Sequence, residues 1–315
     1  MNGWELLADE HGVIAHGDLL DAGLGPRAVA LLRRQGLLTA VDRGWYAVGS
    51  PATPEERHVL ATHASLRAHE GRAVAGHHSG LLILRLPTYR ADLSRVRLSR
   101  TTEGASRTRD VLSLGRVVPI EAQAGSTVVP APAVVQHGIS SGPVSALVAA
   151  DAALRRGQTT RAELTRALGW VERHPGSATL GGFLALADGR RESPGETRLA
   201  HLLHLMRLPV TPQVVVEDGG FRAVVDFLVD GETVVLEFDG RVKYGRSADQ
   251  PDPFGQRRSP GEVVWAEKRR EDRLRDLGYE VVRVVWSDLD DPVALARRIR
   301  TAMGRARRRG LGRSA

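Results

Sequence analysis

Val224-Val225-Asp226-Phe227-Leu228, the pair Asp230-Gly231, and Val234-Val235-Leu236-Glu237-Phe238-Asp239-Gly240-Arg241-Val242-Lys243-Tyr244 decide how this chain reads. Two Val-rich runs flank a turn signal, which predicts a β-hairpin. Acids interrupt both runs: Asp226 in the middle of the first, Glu237 and Asp239 two residues apart at the end of the second. Side chains at i and i+2 leave a strand on one face, so three carboxylates are expected to converge on one patch. Crowded carboxylates repel unless a cation lies between them, and an oxygen-rich site of this kind suits a divalent metal ion. For Asp226 the alternative is an ion pair with Arg222 or Arg283, since a charge within an apolar strand is costly unless paired or bound to metal.

Outward from the hairpin, Ser193-Pro194-Gly195-Glu196 opens a helix expected to reach about Met206. Ser193 and Glu196 have the spacing of a capping box, so Glu196 is a structural cap, a site acid, or both. A first strand is expected over Gln213 to Val216, a polar helix from about Trp265 to Leu277, and a closing strand from Tyr279 to Val285. This order resembles the PD-(D/E)XK nuclease superfamily. More closely, Val225-Asp226-Phe227, Glu237-Phe238-Asp239-Gly240, Leu274 to Gly278 and Val282-Arg283-Val284 are similar to the very-short-patch-repair-like endonuclease domains of bacteria.

The resemblance implies a restriction-endonuclease-like α-β-β-β-α-β core and an Mg²⁺-dependent endodeoxyribonuclease, with Mn²⁺ as a substitute metal. It places metal ligands at Asp226, Glu237 and Asp239 and a further catalytic acid at Glu196. Asp239 stands where the superfamily has Lys, so the lysine comes from elsewhere or the site is impaired. The chain has two lysines, Lys243 and Lys268. A buried Lys shifts its pKa readily and Arg does not. Lys243, four residues past Asp239, is the favoured catalytic cation, with Lys268 on the next helix as the alternative. Glu267, Arg270 and Glu271 are expected to form i,i+4 pairs on a solvated helix. Arg246, Arg257 and Arg258 lie in a Gly/Pro/Asp-rich loop over 245–261, which either orders on DNA or stays a surface loop.

At the other end, Asp18 to Ala22, Gly23-Leu24-Gly25 and Pro26 to Gln35 read as helix, turn, helix, with Leu24, Val29, Leu31 and Leu32 as the apolar face. A hairpin over Leu37 to Val48 follows, predicting a winged helix-turn-helix over 1–50. This region resembles the N-terminal domain of AbiEi-type antitoxins. The resemblance implies DNA contact through Arg27, Arg33, Arg34 and Arg43 and a cognate toxin or defence partner. Its four basic against six acidic side chains leave a protein-contact role open. The likeness extends into an α+β middle domain, 51–185, where His77 precedes a helix running to Leu86-Pro87. A helix cap or core hydrogen bond is favoured for His77 over a metal or catalytic role. Arg95 to Arg116 reads as strands with one basic face, a partner surface or a solvated one. An Ala-rich helix ends at Gly157, and Thr160 with Glu163 caps another.

The fold class is α/β (α+β overall), with the nuclease-like domain over 186–296. The net charge of +7 owes much to 297–315, which holds eight Arg and no acid. That stretch reads as a basic tail, suited to phosphate contacts or simply solvated. There is no Cys, hence no disulfide framework or thiolate metal site. The start carries no signal-peptide pattern, and no apolar run approaches the ~20 residues that span a bilayer; the expectation is a cytoplasmic protein without membrane contact. The rival to the enzyme is a DNA-binding antitoxin or transcriptional regulator with a decayed nuclease fold. A third class, a protein-interaction scaffold, rests only on the acidic first segment.

Overall fold

Capping residues set the helix starts. Thr53, Thr160 and Ser193 accept from the backbone N–H three residues on, at 3.1, 3.2 and 3.2 Å. Pro54 and Pro194 take the first helical position, where the missing N–H costs nothing. The box at Thr160 is complete, because its own N–H donates to Glu163 at 2.8 Å. The computed structural model describes residues 3–102, 107–108, 112–240 and 260–313. The chain divides into two compact units, Met1–Gly189 and Arg190–Ala315, each mixing helices with open sheet.

The first unit starts with a 3-10 turn, Gly3–Leu7, then β1 (Val13–Ala15), α1 (His16–Asp21), α2 (Pro26–Arg34), β2 (Leu38–Asp42) and β3 (Trp45–Val48). The strands pair in the order β1-β3-β2 around Trp4, Ile14, Leu19, Val29 and Leu38. Leu31, expected on the apolar face, is 47% exposed. The three residues of β1 are too few for a period to show in the sequence.

The rest of this unit runs α3 (Pro54–His69), β4 (Ala73–Ala75), α4 (His77–Ile83), β5 (Val96–Arg100), β6 (Arg107–Thr108), β7 (Leu112–Val117), β8 (Gln123–Ala124), β9 (Thr127–Val128), α5 (Pro130–Ser141), α6 (Pro143–Arg155), α7 (Arg161–Gly169) and α8 (Ser177–Ala185). Six strands pair in the order β6-β7-β5-β4-β9-β8. Leu81, Val134, Leu147, Leu164 and Leu180 lie at the centre of the helical core.

The second unit comprises α9 (Pro194–Leu205), β10 (Val210–Asp218), β11 (Phe221–Val229), β12 (Val234–Asp239), α10 (Pro260–Asp276), β13 (Glu280–Val285), a 3-10 turn Trp286–Asp290 and α11 (Pro292–Arg313). The sheet order is β10-β11-β12-β13. β10, β11 and β12 pair antiparallel, and β12 with β13 parallel; the parallel pair needs a crossover, which α10 supplies. One core cluster joins Phe227, Val229 and Leu236 to Leu199 and Leu203 of α9 and to Leu295 and Ile299 of α11. Another joins Ala223, Val225 and Val235 to Leu274 of α10. The expected separate basic tail is therefore corrected: most of it is helix, with Ile299, Ala302 and Ala306 buried, because its Arg run is spaced by apolar residues at helical intervals. No helix among the described residues is long and apolar enough to cross a membrane.

Candidate active site

Asp226 and Glu237 lie on adjacent strands. The β11–β12 ladder runs through Leu228↔Val235 and Phe227↔Leu236 and goes no further. The next residues in that register are Asp226 and Glu237. There the Asp226 carboxylate replaces the backbone pairing: its Oδ2 accepts from the Phe238 N–H at 2.7 Å. The strand also turns over at this point. Residues 223, 225, 227 and 229 share one parity, yet the first two pack toward α10 and the last two toward α9 and α11. Alternation along an undisturbed strand would hold all four on one face.

The disturbance has a counterpart across the sheet. Pro212↔Phe227 and Val214↔Val225 bracket Gln213 opposite Asp226, and Gln213 has φ +54°. A non-glycine residue held in the left-handed region stores strain of order 1–3 kcal/mol, and such residues cluster at functional sites. The Gln213 side chain donates through Nε2 to Glu196 Oε2 at 3.2 Å. Glu196 is 5% exposed and has a structural role: its N–H donates to Ser193 at 3.2 Å, and its carboxylate accepts the N–H of Glu192, rather than that of Ser193, at 2.9 Å. Gly195 makes the approach of α9 to the hairpin possible: a Cβ there would stand 1.8 Å from Cε1 of Phe238. The Phe238 ring meets Trp286 edge-on, centroids 5.2 Å apart.

The carboxyls are charged at a cost. Burial raises the pKa of Asp226 to about 6, with Glu237 and Glu192 adding to the rise and the Phe238 N–H opposing it. Glu196 is raised by burial, with Asp226 contributing. Glu237 is raised by burial, against the pull of Arg270. Arg270 is the residue that sequence reasoning missed. From α10 its Nη2 donates to Glu237 Oε1 at 2.8 Å and to the Val224 carbonyl at 2.6 Å. Its Nη1 donates to Glu237 Oε2 at 3.4 Å and to Glu267 at 3.1 Å. The expected solvated role of Arg270 is corrected; the sequence shows only its helical spacing to Glu267, which any surface pair shares. Glu271 does form its i,i+4 pair, with Arg275.

The ion-pair alternative for Asp226 is not realised: Arg222 pairs with Glu217 at 3.0 Å, and Arg283 with Glu267 and Glu271 at 2.7 and 2.9 Å. Asp239 follows Glu237 by two on β12, half-buried. Among the described residues, no three His, Cys, Asp or Glu side chains form a group ready to hold a metal ion, and Arg270 holds both oxygens of Glu237. Lys268 is exposed on α10. Lys243, Arg246, Arg257 and Arg258 lie outside the described residues.

In the first unit Arg27, Arg33, Arg34 and Arg43 are all exposed. Arg27 and Arg34 share a face of α2, with Arg33 about a third of a turn away. His77 has φ +50°; its N–H donates to Gln136 at 3.0 Å and its Nδ1 lies 3.3 Å from Ser140 Oγ, a core hydrogen-bonding role.

Burial lowers the pKa of His77 and His137 to about 4 and of His78 to about 3. These rings stay neutral in the folded unit, while the unfolded chain takes up protons from about pH 6.5 downward. The first unit is therefore expected to lose stability as pH falls from 6.5 towards 4. In the second unit, Asp226 binds its proton more tightly folded than unfolded, so stability is gained as pH falls through about 6. Calorimetry at pH 7.5 and 5, with transitions assigned by hydrogen exchange, should show the two units moving in opposite directions. Parallel movement would contradict these assignments.

No protein-family model and no curated protein matches this chain. A solved structure titled as the crystal structure of RV2827C protein from Mycobacterium tuberculosis is similar over 65% of this chain and 83% of that one, at 17% identity and a TM-score of 0.36, too distant a likeness to carry an argument.

Proposed function

We propose that the second unit is a metal-dependent DNA endonuclease with a restriction-endonuclease-like core, joined to a winged helix-turn-helix that contacts DNA through Arg27, Arg33, Arg34 and Arg43. The observation that carries the reading is the placement of Asp226 beside Glu237 where the hairpin turns over, with strained Gln213 tying Glu196 to the same spot. Asp226, Glu237 and Glu196 offer the donors a hard divalent cation takes, carboxylates whose charge burial disfavours, but as they stand they do not form a group that closes on one ion. Glu237 joins such a set only when Arg270 gives up its oxygens. Mg²⁺ or Mn²⁺ would polarise a phosphodiester and lower the pKa of a bound water. The protein's part is to hold the ligands and, at Asp226, to fix the carboxylate through the Phe238 N–H.

The resemblances on which this builds suggest a defence, DNA-repair or toxin–antitoxin setting, with a cognate toxin as partner. The test is cleavage of single-stranded, duplex and mismatched DNA with and without Mg²⁺ or Mn²⁺. Arg270 on Glu237, together with Asp239 in the lysine position, favours a second reading, a DNA-binding regulator whose nuclease site has closed.

Arg270→Gln separates the two readings. It is expected to destabilise the second unit by about 3 kcal/mol in EDTA, because Glu237 is left buried without its countercharge. Under the nuclease reading Mg²⁺ restores much of that loss. Melting curves with EDTA and with Mg²⁺ check this, and a variant that Mg²⁺ does not restore supports the regulator.

A further inference from the structure

We infer that the solvent face of α11 is a docking surface for the sugar-phosphate backbone of duplex DNA. Residues 297–309 hold seven Arg and no acid. Three of the seven are committed within the unit: Arg298 to Asp288, Arg307 to Glu232 and Arg309 to Glu280. The other four, Arg297, Arg300, Arg305 and Arg308, are exposed and have no ion pair among the described residues. At about 100° per residue, Arg297, Arg300, Gly304 and Arg308 form one stripe, opposite the buried Ile299, Ala302 and Ala306. With Val293 and Thr301 they line a shallow depression. Arg297 and Thr301 also border a groove beside β13, with Arg283 and Arg305 on its walls.

A face that only needs solvation ordinarily mixes charge signs, and uncompensated like charges three or four residues apart destabilise a helix. This stripe carries one sign, so an anionic partner would relieve it. A lipid surface fits poorly: the apolar side of α11 is inside the protein core, whereas an interfacial helix needs that side for the bilayer. Phosphates fit well. Guanidinium forks match their oxygens. Gly304 leaves a side-chain gap between Arg300 and Arg308. The stripe from Arg297 to Arg308 rises about 16 Å at ~1.5 Å per residue, long enough to reach successive phosphates of one DNA strand. Backbone contact of this kind carries no base preference.

The inference takes DNA as partner from the reading above but needs none of its chemistry. The test is fluorescence anisotropy of the full chain with unrelated duplex sequences, in EDTA, across a salt series. Arg297→Gln/Arg300→Gln/Arg308→Gln changes only exposed groups and should melt as the wild type does. Its log-affinity against log-salt slope is expected to flatten by about 2.7, at ~0.9 per phosphate contact, equally for every sequence. Arg300→Gln alone should flatten it by about 0.9. Unchanged slopes in both variants overturn the inference, as does binding to anionic lipid vesicles that duplex DNA fails to compete away. Metal-dependent cleavage with unchanged slopes would sink this surface alone; flattened slopes without any cleavage would sink the nuclease alone.

Discussion

Asp226→Asn is expected to abolish metal-dependent cleavage while leaving the fold as stable as before or more so. The amide keeps the shape and can still accept the Phe238 N–H through its oxygen, so the local geometry survives. What disappears is a negative charge that burial and Glu237 already disfavour, with the pKa standing near 6. Above that pH the wild type holds an ionised group more easily charged in the unfolded chain. Removing it should therefore raise the stability of the second unit by about 1–2 kcal/mol in EDTA, after discounting for partial solvent access. Binding of DNA should persist or tighten, since one repulsion near the phosphates is gone. Thermal melts of wild type and variant, each with EDTA and Mg²⁺, check the scheme. A metal-induced rise in the wild type that vanishes in Asp226→Asn supports the site. A loss of several kcal/mol in the variant, with no metal response in either protein, would mean that Asp226 is structural and would end the nuclease reading.

Gly195→Ala is expected to be strongly destabilising. The new methyl would fall 1.8, 2.3 and 2.4 Å from three atoms of the Phe238 ring, and no contact of that length survives. The ring cannot simply swing aside, because Trp286 stands edge-on against it and Asp226 holds its backbone N–H. Overpacking of this kind costs about 3 kcal/mol. If β12 shifts to absorb it, Glu237 and the bond to Asp226 move as well, so cleavage should fall along with stability. Gly240→Ala is the control: its Cβ would meet the same ring at 3.8 Å, an ordinary contact, and should change little. Denaturant unfolding of the three proteins gives the comparison. Equal stability for the two alanine variants would refute the packing of α9 on the hairpin described above.

Much of the second unit is written locally. Val-rich runs around Asp230-Gly231 specify the hairpin, because alternation and turn chemistry act between near neighbours. Ser193, like Thr160 in the first unit, announces a helix start for the same reason, and each accepts the backbone N–H three residues on. The acids stand in the sequence at sites where only a special environment would tolerate them. Adjacency of Asp226 and Glu237 follows from the hairpin itself.

What surrounds those acids was decided by tertiary structure alone. Arg270 lies 33 residues from the carboxylate it holds, and nothing in its helical neighbourhood marks it out from the other Arg of α10. Gln213 lies 13 positions before Asp226, and its left-handed backbone has no local signature, since Gln is not a residue that seeks φ > 0. The partners of Arg222 and Arg283 depended on which strands and helices came together. The Arg-rich stretch 297–309 reads as a tail by charge and becomes a helix because Leu295, Ile299, Ala302 and Ala306 find a core to enter. Propensity and turn chemistry are properties of a few consecutive residues; charge pairing, strain and burial belong to the surfaces that meet only once the chain has folded.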